Sequence, residues 1–383
     1  MLFIHDHTFV SKNNQLYTTG SLNQRVMNRY KEWFGNVTVV ATTREVSERD
    51  SAFVREENRV QNLDFQLIPK NNSVLHILKY CHFVKNNVKM TDCVVARMSI
   101  LGAIGVYYAK KYQKPYLVEM VACPWDSLWY HSFKGKILAP FMTLLTKHIC
   151  KHAPYVLYVT NDFLQKRYPT KGISVGCSDV ELNKTDSRVL TKRKEKIEES
   201  FKNNKPLKLC TMANIAVKYK GQDIVIKSIK RLKKLGISCD YYLIGGGSPK
   251  RLERLISKYG VEKEVHIIGP IPHEEVFAFV DDMDLYVQPS KQEGLPRAVI
   301  EAMSRACPVI GARTGGIPEL IGSDMVFNKG SEKDFINIIQ LVTMKKLLKC
   351  AQENYKMSTN YEKKYLDAKR TSFYLRFVEA VKR

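Results

Sequence analysis

Short apolar runs alternate with helix-like segments along most of the chain, and this alternation constrains the fold more than any other feature. The first half has such runs at residues 2–4, 37–41, 94–96, 116–121 and 156–159. The second half has them at residues 208–212, 241–244, 265–268, 285–288 and 308–311. Short runs separated by helical patterns are typical of buried parallel strands covered by helices. We therefore predict an α/β fold.

A polar, highly charged stretch between residues 184 and 207 divides the two series of runs. A chain of 383 residues has the length of about two domains, and 44% apolar residues allow each domain its own core. We predict an N-terminal Rossmann-like domain at 1–185 and a C-terminal Rossmann-like domain at 186–359. The aromatic and charged tail, 360–383, suits a terminal helix that crosses back to the N-terminal domain.

The net charge of +23 favours anionic partners such as nucleic acid or anionic lipid. No recognised nucleic-acid-binding motif accompanies this charge, so we expect no specific nucleic-acid partner. The run at 136–147 places apolar residues between Lys134, Lys147 and Lys151, a pattern typical of helices that lie on an anionic membrane surface. An ordinary helix packed on the core is the alternative.

Three features of the sequence bear on localisation. Met1 leads directly into the first apolar run, without the segments of a signal peptide. The longest uncharged stretch, 98–109, is shorter than the roughly 18 residues that cross a bilayer. The nine cysteines include no Cys-x-x-Cys pair and do not resemble a disulfide framework. We predict a cytoplasmic protein that is peripheral on the inner face of the cytoplasmic membrane.

The loop after the run at 285–288 is the richest in groups that could bind a ligand. In open parallel sheets, ligands bind beyond the carboxyl ends of the strands. The sequence at 289–303 reads PSKQEGLPRAVIEAM, in which Gly294 allows close approach of a ligand and Pro296 fits the first turn of a helix. The start of such a helix is a site for a diphosphate.

Two glutamates flank the start of this helix. Glu301 is placed to reach a ribose, and Glu293 to reach a sugar on the other side of the phosphates. The alternative is that Glu293 is a solvated loop residue and Glu301 pairs with Arg297 at i, i+4. In this frame the residues resemble glycosyltransferase family 4, whose signature is a Glu-x7-Glu spacing followed by Ala-Met. The resemblance extends over 207–322 and includes Lys220-Gly221, LIGGGS at 243–248 and IIGPIPHEEV at 267–276.

The resemblance implies the GT-B fold, in which two Rossmann-like domains face each other across a cleft. It further implies a nucleotide-sugar donor bound by the C-terminal domain, retention of anomeric configuration, and no metal or other cofactor. It assigns catalytic roles to Glu293 and Lys220. The family often has an arginine where this chain has Asn214, and Lys218 or Arg297 are the candidates to replace its charge. The predicted donor-binding residues are Gly20, Lys220, Ile271, Gly294, Leu295, Pro296, Arg297 and Glu301.

Gly20 is included because the sequence TTGS at 18–21 precedes a helical pattern and could close over the donor phosphates. The alternative is a plain helix start capped by Ser21. Histidines suggest no metal site, because His5 with His7, and His148 with His152, supply too few ligands for zinc.

The acceptor-side candidates lie in the N-terminal half. Arg97 and Glu119 end or interrupt apolar runs, and the alternative is that they form a buried ion pair. Asp126 and His131 follow in the sequence CPWDSLWYH. The stretches YLVEMVACPWDS and YVTNDFLQKRYP also resemble family 4 enzymes of surface polysaccharide assembly, which implies a saccharide or polyprenyl-linked acceptor.

The sequence therefore predicts a retaining glycosyltransferase of the hexosyltransferase type in surface polysaccharide biosynthesis. Two alternatives stay open. The same fold hosts nucleotide-sugar epimerases that need no acceptor, since fold alone never fixes function. A catalytically silent scaffold in an assembly complex is the other.

Overall fold

The structure is a computed structural model that describes residues 1–18, 22–47, 54–70 and 76–382, without the side chain of His273. Within these residues the chain forms two sheets, and helices cover both of them. The predicted α/β architecture is confirmed. Each apolar run predicted to be a strand matches an observed strand or lies within one, with at most one residue extending beyond it.

The first sheet has nine strands among the described residues. Seven run parallel in the order β5-β3-β1-β6-β7-β8-β9, and β2 and β4 form an antiparallel extension at the far end of β1. The strands are β1 (Leu2–Lys12), β2 (Gln15–Tyr17), β3 (Thr38–Glu45), β4 (Arg59–Val60), β5 (Asp64–Pro69), β6 (Val94–Arg97), β7 (Tyr116–Met120), β8 (Tyr155–Tyr158) and β9 (Ile173–Gly176). The helices between them are α1 (Gln24–Phe34), α2 (His76–Lys89), α3 (Ile100–Lys111), α4 (Pro124–Trp129), α5 (Phe133–His152) and α6 (Phe163–Arg167).

The second sheet has six parallel strands in the order β12-β11-β10-β13-β14-β15 among the described residues. They are β10 (Leu207–Met212), β11 (Cys239–Ile244), β12 (Val265–Gly269), β13 (Leu285–Gln288), β14 (Val309–Ala312) and β15 (Val326–Phe327). The accompanying helices are α7 (Arg188–Lys202), α8 (Gln222–Lys234), α9 (Lys250–Tyr259), α10 (His273–Asp282), α11 (Arg297–Ser304), α12 (Ile317–Leu320), α13 (Glu332–Gln340) and α14 (Met344–Ser358).

The last helix, α15 (Lys363–Lys382), returns to the first sheet as predicted. Its buried Phe373, Tyr374 and Phe377 pack with Phe3 and Tyr30 in the core on one face of that sheet. Burying a large aromatic side chain contributes about 1.5–3 kcal/mol. These three residues therefore anchor the C-terminus to the N-terminal half.

The domain boundary after residue 185 stays a prediction. Val180 and Leu182, which precede that boundary, pack in the core of the second sheet, and Tyr361 belongs to the same core.

Several elements differ from the sequence predictions for identifiable reasons. β5 and β9 are edge strands with largely exposed or half-buried residues, so they lack the apolar signal of a buried strand. β2, β4 and β15 are only two or three residues long. Helix α1 is capped by Asn23, whose side-chain oxygen accepts from the Val26 N–H at 3.1 Å. The predicted cap, Ser21, lies outside the described residues.

Helix α5, which contains the run at 136–147, has one buried and one exposed face. One face, including Ala139 and Met142, is buried against the N-terminal half. The opposite face exposes large apolar side chains, with Ile137 at 70% and Phe141 at 63% exposure. Of the helices in the described part of the chain, none combines the length and hydropathy needed to cross a membrane.

Candidate active site

The loop between β13 and α11 holds Glu293 in a fixed position between two partners. Lys220 Nζ lies 2.7 Å from Glu293 Oε1. Gln288 Nε2 donates to the same carboxylate oxygen at 2.9 Å. Gln288 is itself fixed, because its side-chain oxygen accepts from the Tyr286 hydroxyl at 2.6 Å. The sequence thus places a carboxylate and an ammonium group together at the carboxyl edge of the second sheet.

Lys220 reaches Glu293 because its own loop packs directly on the loop after β13. It ends a short 3-10 turn, Lys218–Lys220, before Gly221, which has a φ of +75°. A Cβ at position 221 would lie 2.0 Å from the Pro289 carbonyl oxygen, so only glycine permits this approach. The Lys291 N–H also donates to the Tyr219 carbonyl at 2.7 Å. The two loops form one unit.

Helix α11 begins at Arg297, and Pro296 occupies the capping position just before the first turn in which the sequence predicted it. Its first N–H groups have no partners within the helix, and the helix dipole adds partial positive charge there. Pro296 is buried, Leu295 is half-buried and Arg297 is exposed. Glu301 lies one turn further along and is half-buried. The geometry suits an anion at the start of α11.

The other predicted donor residues differ in how close they lie to this unit. Ile271 is half-buried in the loop between β12 and α10. Asn214 is exposed, and its side-chain oxygen accepts from the Ala216 N–H at 3.0 Å, which shapes its own loop. A Cβ at Gly247 would lie 2.7 Å from that same Asn214 oxygen. Asn214 therefore holds the backbone of its own loop, and it does not supply the positive charge of the arginine found there in the family. Gly20 lies outside the described residues.

The loop between β13 and α11 also contacts the N-terminal half directly. A Cβ at Gly294 would lie 2.4 Å from the carbonyl oxygen of Val121, just beyond β7. Gln292 Nε2 donates to Ser127 Oγ of α4 at 3.3 Å. The Gly316 N–H donates to the Gly294 carbonyl at 2.7 Å, which ties the loop after β14 to the same place. The loop after β13 therefore lies against the region just beyond β7, where the two halves of the chain meet.

Asp126, predicted on the acceptor side, also contacts the C-terminal half. It is buried, and its Oδ1 lies 3.3 Å from Nζ of Lys329, which follows β15. Lys329 Nζ also stands 5.0 Å from the centre of the Tyr130 ring, within the range of a cation–π contact. His131 is exposed in the turn between α4 and α5. The structure does not bring His131 to the Glu293 carboxylate.

Arg97 and Glu119 form the buried ion pair that the sequence offered as the alternative to acceptor binding. Arg97 Nε donates to Glu119 Oε2 at 3.1 Å, and both residues are almost fully buried. The hydroxyls of Tyr30 and Tyr374 also donate to Glu119 Oε1, at 2.8 and 3.1 Å. Pairing satisfies the two charges, as buried ions require. They join β6 and β7 to α1 and α15 inside the protein.

The network continues to Asp179, in the segment that joins the two halves. Arg97 contacts Asp179 Oδ2 at 3.3 Å, and Arg29 contacts Oδ1 at 3.4 Å. Burial by itself would raise the pKa of Asp179. The guanidinium groups of Arg97, Arg29 and Arg370 outweigh burial and lower that pKa below its usual value. Asp179 is therefore ionised at neutral pH.

The side chains of His5, Asp6 and His7 lie where β1 bulges between Ile4 and Thr8. Burial, with help from Arg97, lowers the pKa of His5 well below its usual value and that of His7 to about 4. Burial raises the pKa of Asp6. Across the described residues, no group of three or more His, Cys, Asp or Glu side chains is arranged to hold a metal ion.

Sequence reasoning did not identify Gln288 or Lys329 as site residues. A polar side chain ending the apolar run Leu-Tyr-Val-Gln was the available signal for Gln288. Lys329 carried no signal, because its contact with Asp126 joins residues 203 positions apart.

Residues 192–364 match the sequence profile of Glycosyl transferases group 1. The chain is 28% identical over 361 residues to Protein CapJ of Staphylococcus aureus, covering 92% of this chain and 88% of that protein. It is 36% identical over 126 residues to the putative colanic acid biosynthesis glycosyltransferase WcaL of Escherichia coli (strain K12), 31% of each chain.

Among solved structures, Anabaena Alr3699/HepE in complex with UDP and glucose matches with a TM-score of 0.63. The match covers 100% of this chain and 98% of that one at 14% sequence identity. A likeness at this identity concerns the fold alone. The GT-B fold expected from the resemblance is confirmed.

Proposed function

Since residues 192–364 form a glycosyl transferases group 1 domain, we propose that this glycosyltransferase moves a hexose from a nucleotide sugar to an acceptor with retention of configuration. The acceptor is a saccharide or a polyprenyl-linked saccharide used in surface polysaccharide biosynthesis. The observation that carries the proposal is the contact of Lys220 with Glu293 at the amino end of α11.

Cleavage of the sugar–phosphate bond leaves a nucleoside diphosphate and a sugar with oxocarbenium character. Positive groups aimed at the leaving diphosphate stabilise that charge in a cleft with little water. Lys220 and the first N–H groups of α11 supply this charge from the protein itself. For this reason we propose that the reaction needs no metal. Glu293 orients the sugar through its hydroxyls, and Glu301 binds the ribose, as in family 4.

Support for the donor and the pathway comes from the relatives. UDP is bound in Alr3699/HepE, which has the same fold, and WcaL is named for colanic acid biosynthesis. We propose that Gly294, Leu295 and Pro296 contact the diphosphate at the start of α11, and that Ile271 contacts the base. Asp126, as the buried partner of Lys329, acts on the acceptor side by holding α4 against the donor domain.

We further propose that the protein docks on the anionic inner face of the cytoplasmic membrane through α5. The outward face of this helix is apolar at Phe133, Ile137 and Phe141. Exposed lysines stand at both ends of this face, at positions 134, 136, 147 and 151. An apolar face between basic ends is the pattern of helices that lie in a lipid interface.

A panel of nucleotide sugars screened by thermal shift tests the donor. A ligand present at 100 times its Kd stabilises the folded state by about 2.7 kcal/mol, so a true donor should stand out. The selected donor is then incubated with and without acceptor. Transfer only in the presence of acceptor supports the transferase, whereas epimerisation of the donor alone would favour the isomerase. No binding of any nucleotide sugar would favour a silent scaffold.

A further inference from the structure

A cavity of about 270 Å³ lies in the N-terminal half, beside the loop at residues 289–296. We call this loop, which joins β13 to α11, the donor loop, because it carries the proposed donor-binding residues. Val121, Ala122 and Ser127 line the wall nearest the donor loop. Two contacts join that wall to the loop: the hydrogen bond from Gln292 to Ser127, and the close approach of Gly294 to Val121. A molecule in this cavity would end next to the sugar that Glu293 orients.

The lining of the cavity is mainly apolar. Met98, Ile100, Leu138 and Met142 form much of the apolar lining, and its polar members are His5, Asp6, Ser99 and Ser127. A sugar is held by hydrogen bonds to its hydroxyls, and burying such hydroxyls without partners is costly. Hydrocarbon has no such cost and gains free energy on leaving water. The cavity therefore suits an apolar chain better than a saccharide.

The cavity also reaches the outside of the molecule at an apolar surface. Leu138 and Ile100 line it and are themselves more than a third exposed, at 38% and 39%. Leu138 is the neighbour in sequence of Ile137, on the outward face of α5. One apolar path thus runs from the face proposed to meet the membrane, past Leu138, to the donor loop.

We propose that this cavity binds the hydrocarbon chain of a lipid-anchored acceptor, so that the acceptor reaches the donor from the membrane and not from solution. The inference rests on the proposed function, because only a transferase needs an acceptor there. The inference restricts the proposed acceptors to saccharides that are attached to a long apolar chain.

Calorimetric titration of the full chain with geranylgeranyl phosphate, below the concentration at which it aggregates, tests the proposal. Inorganic phosphate is the control for the headgroup. We expect saturable binding of the lipid that is weakened about tenfold, or ~1.4 kcal/mol, by Leu138→Gln. Leu144→Gln is the matched control, because Leu144 lies exposed on the same helix but does not line the cavity.

The proposal is overturned if the wild-type chain shows no saturable binding, if inorganic phosphate binds equally well, or if both leucine variants lose the same affinity. Equal thermal midpoints of the two variants check that each is folded. The titration needs neither a donor nor turnover. Failure of this inference is therefore separable from failure of the proposed function, which is decided by the nucleotide-sugar panel.

Discussion

Lys220 Nζ and Glu293 Oε1 lie 2.7 Å apart although 73 residues separate them in the sequence. The contact exists because two loops at the carboxyl edge of the second sheet pack on each other through Gly221. It joins the group proposed to receive the leaving diphosphate to the group proposed to orient the sugar.

Replacing Lys220 tests the charge side of this pair. We expect Lys220→Ala to lower kcat by about 10²-fold or more, as the loss of one preorganised charge-stabilising group does. The thermal midpoint should stay close to that of the wild type, because Lys220 is only partly buried. Lys230→Ala, an exposed lysine on α8, is the control. Wild-type kinetics in a folded Lys220→Ala protein would argue against the assignment.

Gln288 is expected to act through Glu293, which it orients. Gln288→Met keeps the size of the side chain but removes the hydrogen bond to Glu293, and should lower kcat about tenfold for a net bond of ~1–1.5 kcal/mol. Gln288→Glu places a second carboxylate beside Glu293. Like charges raise the pKa of a carboxyl group, so the acidic limb of the pH–kcat profile should move to higher pH.

The pH profile distinguishes two roles for Gln288: orienting the Glu293 carboxylate, or only stabilising the fold. A variant that only loosens the fold lowers activity at every pH without moving the limb. An unmoved limb in Gln288→Glu would show that Gln288 does not control Glu293.

Docking through α5 predicts that vesicle binding depends on both apolar and charged groups. The double change Ile137→Gln and Phe141→Gln should weaken co-sedimentation with anionic vesicles more than tenfold, since each buried apolar side chain contributes about 1.5–3 kcal/mol. Binding of the wild type should also fall as salt rises, because exposed charges are screened beyond about 8–10 Å.

Leu235→Gln is the control for this experiment, since Leu235 is exposed on the C-terminal half, away from α5. Equal binding to neutral and anionic vesicles, or an equal loss in the Leu235→Gln variant, would contradict docking through α5.

His7 should make the fold less stable at acid pH. Burial and the nearby Arg97 and Lys70 lower its pKa from 6.5 to about 4 in the folded state. The unfolded chain therefore binds more protons between these values, and stability from this residue is lost as pH falls from about 6.5 towards 4. In urea unfolding at pH 7 and pH 5, His7→Gln should lose less stability than the wild type. An equal loss in both proteins would refute the assignment.

The sequence predicted the strands that build both sheets and the loop that carries the site. Those strands are buried, so their apolar runs report them, whereas the edge strands β5 and β9 are too exposed to do so. Glu293 and Lys220 were identified by a family pattern, but their contact is tertiary. The sequence offered the buried ion pair of Arg97 and Glu119 only as an alternative to acceptor binding. It could not decide between the two, because the burial of the pair depends on Tyr30 and Tyr374, which come from distant helices.

The stereochemistry of the product shows whether the enzyme transfers the sugar with retention of configuration. With the donor from the panel, an acceptor and a chelator present together, NMR of the new glycosidic linkage reports its anomeric configuration. We expect product with the configuration of the donor, because the frame of Glu293 and Glu301 resembles a retaining family. We expect that product to form despite the chelator, because Lys220 and the start of α11 provide the charge that a metal would otherwise bring. An inverted linkage would contradict the retaining mechanism, and activity lost on chelation and restored by a divalent ion would contradict the role given to Lys220.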